Sequence, residues 1–386
     1  MLCSTVQADQ FCTLITDGTH DSPKPQQSGW KLITSKHLKG HYIDFDSANW
    51  IGEADYLKVI SRSAVEQWDI LFSMIGTIGN IYLEKNPHVE YACKNMGIFK
   101  FSGNKENALW MYYYLKSPQA KAYIQTHLRG STQSYVPLGS LRDMPVPVPP
   151  QSVRNEIIAI LSPIDEKIEC NNAINDNLQQ QVAALFANFY DRAETEVGFT
   201  EIIQILGGGT PKTGESSYWN GNVPFFTPKD VGSPYTLATE KTITEEGLAH
   251  CNSRLYPVNT VFVTARGTVG KVGLPGIPMA MNQSCYALVG KDTHQLLVYF
   301  YILKAVDRLK HKASGAVFDA ITTRDFESEI IMKLSDDDEK AFLDVAQPIY
   351  QAVLSNSIEN LRFAALRDSL LPKLMSGEID VSGVQL

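Results

Sequence analysis

The strongest constraint on this 386-residue chain is a heptad pattern that occurs twice. Every seventh residue from Ile157 gives Ile157, Ile164, Asn171, Leu178 and Leu185, an apolar seam interrupted by one asparagine. That is the pattern of a helix packing lengthwise on another helix. Adding 185 to each number gives Phe342, Ile349, Asn356, Phe363 and Leu370, so the second copy repeats both the seam and its asparagine. Pro163 and Pro348 correspond as well. A proline inside a helix removes a backbone donor and clashes with the preceding turn, so each copy is expected to be a short helix and a long one with a break or kink there. A polar residue in a seam costs stability and fixes register, so the two stretches read as a measuring rod whose stripes are buried against each other or against a partner.

The segments between the seams repeat too. Gly18-Thr19 pairs with Gly209-Thr210, and Gly76-Thr77-Ile78-Gly79 with Gly267-Thr268-Val269-Gly270, both at an offset of 191; the runs before the latter, Ile70 to Ser73 and Val261 to Thr264, match as strands. Gly130 pairs with Gly315 at the helical offset of 185. A helical stretch is expected from Asn107 to about Leu128, followed by the stiff connector Met144-Pro-Val-Pro-Val-Pro-Pro150. The chain therefore reads as globule, helix, globule, helix, divided as 1–150, 151–197, 198–325 and 326–386.

Charge separates along the same boundaries. The net charge of −8 resolves into 14 basic and 13 acidic residues in 1–152, 3 and 8 in 153–197, 12 and 10 in 198–325, and 5 and 11 in 326–386. All of the acidity lies in the helical segments, which leaves the globules free to carry local basic faces. The six cysteines, Cys3, Cys12, Cys93, Cys170, Cys251 and Cys285, are scattered without a CxxC pair, which argues against a disulfide framework or zinc site and points to a reducing cytoplasm. The opening MLCSTVQADQ lacks the order of a signal peptide, and no apolar run is long enough to span a bilayer.

Signatures of catalysis are missing from the sequence: it has no HExxH, no GxSxG elbow, no GxGxxG after a strand and no GxxxxGK[ST] phosphate loop. Asn222-Val-Pro-Phe225 approximates the motif with which amino-methylating enzymes grip a base, but Val223 stands where the first proline would be, and the stretch reads as a turn before a strand. The better candidates are DNA-binding. Lys31, Lys36 and Lys39 in the first globule, and Lys212, Lys229, Arg266 and Lys271 in the second, flank the repeated turns. Such side chains reach guanine edges or phosphates, although an isolated surface lysine is more often simply solvated. Lys304, Arg308, Lys310, His311 and Lys312 form a further basic cluster, a candidate phosphate-contact face.

These residues together resemble the specificity subunit of type I restriction-modification enzymes. Leu371-Pro-Lys-Leu-Met-Ser-Gly-Glu-Ile379 is similar to that family's C-terminal signature; Val148-Pro-Pro-Gln-Ser through Ile164-Asp-Glu-Lys-Ile168, with Leu185-Phe186, to its central conserved region; and Gly208-Gly-Thr-Pro-Lys212, Tyr218-Trp-Asn-Gly221 and Pro224-Phe-Phe-Thr-Pro-Lys229 to the opening of a target-recognition domain. The first globule departs from that opening, with Asp17-Gly-Thr-His20.

The resemblance implies an α+β fold of two tandem target-recognition domains, each a mixed sheet with helices, separated by two long antiparallel coiled-coil-like helices with pseudo-two-fold symmetry. Each domain would read half of a bipartite double-stranded DNA site, and the helices would set the gap. The chain itself would be non-catalytic and bind no cofactor or metal. Two modification (methyltransferase) subunits would supply S-adenosylmethionine, and restriction/translocase subunits ATP and Mg, with no membrane partner. Two alternatives are an orphan or modification-only scaffolding module and a tandem β-rich binding protein for another polymer such as glycan.

Overall fold

Ile70–Ser73 and Val261–Thr264 are buried at every position, so both faces of each central strand are covered. Around them the computed structural model, which describes residues 4–40, 42–232, 234–312 and 320–381, builds two compact units. One comprises Met1–Glu169 with Phe363–Leu386, the other Cys170–Arg362. Both long helices contribute residues to both units, so compactness groups the chain differently from the four consecutive segments.

In the first unit an antiparallel four-stranded sheet runs in the order Leu14–Asp17, Met96–Lys100, Ile70–Ser73, Ile81–Leu83. A three-stranded sheet has Trp30–Ile33 at its centre, antiparallel to Asn49–Ile51 and parallel to Tyr91–Cys93. Ser4–Gln7 pairs antiparallel with the proline connector Pro145–Val148, whose alternating prolines leave Val146 facing the core.

The second unit repeats the plan. Ile203–Gly207, Cys285–Gly290, Val261–Thr264 and Val272–Pro275 form the larger sheet, extended by Tyr235–Thr236. Trp219–Phe226 centres the smaller sheet, antiparallel to Lys241–Ile243 and parallel to Ala280–Met281. Thr195–Gly198 pairs with Ile330–Lys333. Both units thus have the same strand order and the same single parallel pairing in the smaller sheet, and the α+β reading holds.

The helices correct two expectations. The stretch expected from Asn107 to Leu128 is two helices, Lys105–Lys116 and Pro118–Thr126. Pro118 biases Ser117 out of the helical region, and the Ser117 hydroxyl then caps the second helix by accepting from the Ala120 amide at 3.3 Å. Pro163 and Pro348, conversely, do not divide their helices, which run unbroken over Gln151–Asp191 and Asp336–Ser376. The carbonyls these prolines leave without an intrahelical donor belong to Ala159 and Asp344, both exposed, so water can satisfy them.

The buried stripe is wider than the sevenfold seam. Ile157, Asn171 and Phe342 are buried, whereas Ile164, Leu178, Leu185, Ile349, Asn356, Phe363 and Leu370 are half-buried. In the first long helix burial instead follows Ile157, Leu161, Asp165, Asn171, Asn175, Val182, Phe186 and Tyr190, steps of four with two longer intervals of six and seven, because each helix packs both on its partner and on a globule. Phe186 shows the double duty: its ring lies 5.5 Å from that of Phe342 on the second helix and 5.0 Å from that of Phe300 in the globule. Burying such a ring stabilises by roughly 1.5–3 kcal/mol. Within each unit the helices run antiparallel, with Asp165 meeting Arg367 in the first and Asn175 meeting Asn356 in the second. Gly315, the expected match for Gly130, lies outside the described residues. Among the described residues no helix is long and apolar enough to cross a membrane, and no group of three or more His, Cys, Asp or Glu could hold a metal ion.

Candidate nucleic-acid interface

The two Gly-Thr-x-Gly stretches are hairpin loops of one construction. Gly76 and Gly79 have φ of 78° and 88°, Gly267 and Gly270 of 83° and 74°, a region that costs glycine little and other residues more. The last residue of the preceding strand closes each loop. Ser73 Oγ donates to the Thr77 carbonyl and accepts from the Asn80 amide at 2.8 Å; Thr264 Oγ1 donates to the Thr268 carbonyl and accepts from the Lys271 amide at 2.9 Å. Gly79 and Gly270 donate back to the carbonyls of Ser73 and Thr264 at 3.1 and 2.8 Å.

A second pair of matching loops was not visible in the sequence. After Trp30–Ile33, the amide of Thr34 donates to His37 Nδ1 at 2.9 Å, and the His37 amide returns to the Thr34 carbonyl at 2.9 Å. After Trp219–Phe226, the amide of Thr227 donates to Asp230 Oδ2 at 2.8 Å, and the Asp230 amide returns to the Thr227 carbonyl at 2.9 Å. Thr34-Ser-Lys-His37 and Thr227-Pro-Lys-Asp230 are therefore the same turn, with Lys36 and Lys229 at equivalent exposed positions. Each turn touches its hairpin loop. Asn80 Nδ2 donates to the Leu38 carbonyl at 3.3 Å, and Thr268 Oγ1 to the Pro228 carbonyl at 3.3 Å. The signal that could have revealed them is a Thr-x-Lys-(His or Asp) motif at an offset of 193.

The Gly-Thr stretches complete the cluster, with a correction of one residue. A side chain at Gly18 would start 2.3 Å from the Cys93 carbonyl oxygen, and one at Gly208 would start 2.1 Å from that of Asn282. The next amides, of Thr19 and Gly209, bind the carbonyls of Cys93 and Met281 at 2.9 and 3.1 Å. Gly18 thus matches Gly208, not Gly209: each faces a carbonyl at the end of the parallel strand of the smaller sheet, whereas a side chain on Gly209 would meet the Asn252 amide nitrogen at 2.6 Å. Polar side chains line these loops: His20 is 2.9 Å from Asn95 Oδ1, and Thr210 Oγ1 donates to Gln283 Oε1.

The structure divides the basic candidates. Lys36, Lys39, Lys212, Lys229, Arg266, Lys271 and Lys310 have exposed side chains. Lys39 Nζ donates to the Lys36 carbonyl at 2.8 Å, and Lys229 Nζ stands 3.7 Å from Glu240 with both side chains largely in solvent. Lys310 reaches the hairpin loop, its Cε 2.6 Å from where a side chain on Gly270 would begin. Lys31 is engaged by its own unit, donating to the Ala48 carbonyl at 2.9 Å and lying 4.0 Å from the centre of the Trp50 ring.

The Lys304 to Lys312 cluster is not one open face. Arg308, at 3.1 Å, and Lys312 both pair with the buried Glu329, and Lys304 sits 5.3 Å from the Tyr190 ring. Asn222-Val-Pro-Phe225 lies within the strand Trp219–Phe226, not before it, and Phe225 is buried, so its ring is not free to stack on a base.

Comparison with known proteins agrees with this duplication. The family described as type I restriction modification DNA specificity domain matches residues 27–180 and again 195–339. The chain is 22% identical over 404 residues to the type I restriction enzyme HindI specificity subunit of Haemophilus influenzae, covering 83% of this chain and 88% of that one. It is 26% identical over 211 residues to the EcoR124I/EcoR124II specificity subunit of Escherichia coli, 51% of each chain. The crystal structure of the type I restriction-modification S subunit from M. genitalium shares the fold, with a TM-score of 0.54 at 15% identity over 96% of both chains.

Proposed function

This chain belongs to the type I restriction modification DNA specificity family, and from that premise we propose that it is the non-catalytic DNA-reading subunit of such an enzyme, each globule reading one half of a bipartite duplex site. The observation that carries the reading is the loop cluster made twice from equivalent parts: a Thr-x-Lys turn in hydrogen-bonded contact with a glycine hairpin, beside a polar Gly-Thr loop. Rigid strands holding short loops that present lysine, arginine, threonine, asparagine and glutamine are suited to phosphate contact and base-edge readout together. Lys36, Lys39, Lys212, Lys229, Arg266, Lys271 and Lys310 are the cations proposed to face DNA. Lys31 and Lys312 leave that set, because their charges answer groups in their own unit.

The acidic long helices repel phosphate, which supports a role in setting the gap between half-sites and docking protein. Their partners are proposed to be two methyltransferase subunits, which carry S-adenosylmethionine, and ATP- and Mg-dependent restriction subunits. The test is selection from a randomised duplex pool by the chain copurified with its methyltransferase. Exchange of residues 198–325 for those of a relative should change one half of the enriched site and leave the other. A change in both halves, or enrichment of no duplex sequence, would overturn the reading.

A further inference from the structure

We infer that His37 and Asp230 are equivalent positioning residues for DNA readout, each locking the turn that presents Lys36 or Lys229, and that only the first lock opens on protonation. The inference rests on the DNA-reading assignment and adds to it a regulation that differs between the two halves.

The geometry of the two locks is the same and their chemistry is not. In the second unit Asp230 accepts from the Thr227 amide at 2.8 Å and the Thr227 hydroxyl at 2.6 Å through Oδ2, and from the Glu240 amide at 2.8 Å through Oδ1. An ionised carboxylate is an acceptor at both oxygens. In the first unit one ring nitrogen does the work: His37 Nδ1 accepts from the Thr34 amide at 2.9 Å and stands 3.3 Å from the Thr34 hydroxyl. An amide can only donate, so Nδ1 must be unprotonated and the hydrogen of the neutral ring must sit on Nε2. A charged imidazolium would place a hydrogen against the Thr34 amide and break the lock.

The surroundings resist that charge. His37 is 2% exposed, which leaves its ring little access to water. Burial first, then the neighbouring Lys36 and Lys39, hold the ring below the ordinary histidine range, against the opposing pull of Asp44 and, more weakly, the backbone of Ser47. The neutral form therefore prevails at and above the usual histidine value of about 6.5, and the lock is lost as pH falls through the lowered range. The turn it holds carries Lys36, whose carbonyl also anchors Lys39 Nζ, and abuts the hairpin through Leu38 and Asn80.

The test uses the chain copurified with its methyltransferase and a randomised duplex pool, selected in steps from about pH 8 to about pH 5, a range in which histidine titrates. The wild type should keep the base preference of both halves at high pH and lose that of one half, by about fivefold in affinity, as pH falls. His37→Asp should hold that half at every pH, His37→Ala should lose it at every pH, and Asp230→His should transfer the acid sensitivity to the other half. Melting temperatures at each pH separate local unlocking from unfolding, since a fall in melting temperature matching the loss would assign it to global stability and overturn the inference. It is equally overturned if both halves persist to pH 5 in the wild type, or if His37→Ala matches the wild type at pH 8. Failure of any duplex to enrich at any pH would instead strike at the DNA-reading assignment itself.

Discussion

Asn356 donates its side-chain amide to Asn175 Oδ1 at 2.9 Å, and the same contact recurs 185 residues out of phase, from Asn171 to Asn360 Oδ1 at 2.9 Å. Asn171 also reaches Glu359 at 2.7 Å and Asn360 reaches Asn172 at 2.8 Å, so the seam is crossed by a reciprocal amide network and not by one polar residue per helix. Such a network fixes register because a shift by any other interval leaves amides unpaired. Asn356→Leu or Asn171→Leu alone should destabilise by about 1–3 kcal/mol, since the partner amide stays in the seam without its bond. Leucine at Asn171, Asn175, Asn356 and Asn360 together should recover most of that loss. Urea unfolding midpoints decide it, and stabilisation by either single change would contradict the network.

Asp165 holds the other end of the seam, accepting from Arg367 at 2.7 Å and from Lys116 at 3.3 Å, with its side chain 10% exposed. Burial alone would raise its carboxyl, but Lys116 and Arg367 together hold it below the usual range, while burial pushes the Lys116 amine down to about 8. A carboxylate with a depressed folded-state pKa contributes stability above its ordinary value of about 3.9, and that contribution is lost as pH falls through the depressed value. Asp165→Asn should cost about 1–3 kcal/mol near neutral pH, because Lys116 loses its anion while Arg367 keeps only the exposed Asp368, and the penalty should shrink in acid. Denaturant titrations at several pH values would show it. A pH-independent penalty would mean the charge is not what Asp165 supplies.

Lys36→Ala and Lys229→Ala should each weaken duplex binding at every salt concentration, and each should lower the slope of log affinity against log salt by about one if the lysine meets phosphate. Binding isotherms over a salt series measure both quantities. An unchanged slope with unchanged affinity would remove that lysine from the interface.

Lys310 and Lys312, two residues apart on one helix, should separate cleanly. Lys312 pairs with Glu329, whose side chain is 2% exposed, so Lys312→Ala should lower stability by about 1 kcal/mol, a fall of roughly 2–4 °C in Tm, with little change in DNA preference. Lys310→Ala should leave Tm in place and weaken DNA binding, since its side chain lies over the hairpin loop at Gly270. The reverse pattern would show that the basic face runs the other way.

The duplicated plan was legible in the sequence because strands and amphipathic helices are written in local periodicity. Ile70 to Ser73 and Val261 to Thr264 stood out as strands, and the glycine hairpins kept one offset of 191, so both survive a reading at fixed spacing. The Thr-x-Lys turns did not, because the units accumulate insertions: Gly18 matches Gly208 at an offset of 190, while Thr34 matches Thr227 at 193. His37 and Asp230 also look unalike as residues, although each supplies the same acceptor to the same amide.

The sequence by itself determined that two similar globules alternate with two long helices, that these helices carry the acidity, and that glycines and lysines cluster near the turns. Tertiary structure decided which charges are free. Lys36 and Lys229 came out exposed on matching turns, whereas Lys31 was drawn to the Ala48 carbonyl and Lys312 to the buried Glu329, residues distant in the sequence that no spacing rule connects. It also decided that Pro163 and Pro348 could sit inside continuous helices, because whether a lost hydrogen bond breaks a helix depends on whether the freed carbonyl faces water, and that is a property of packing and not of the chain.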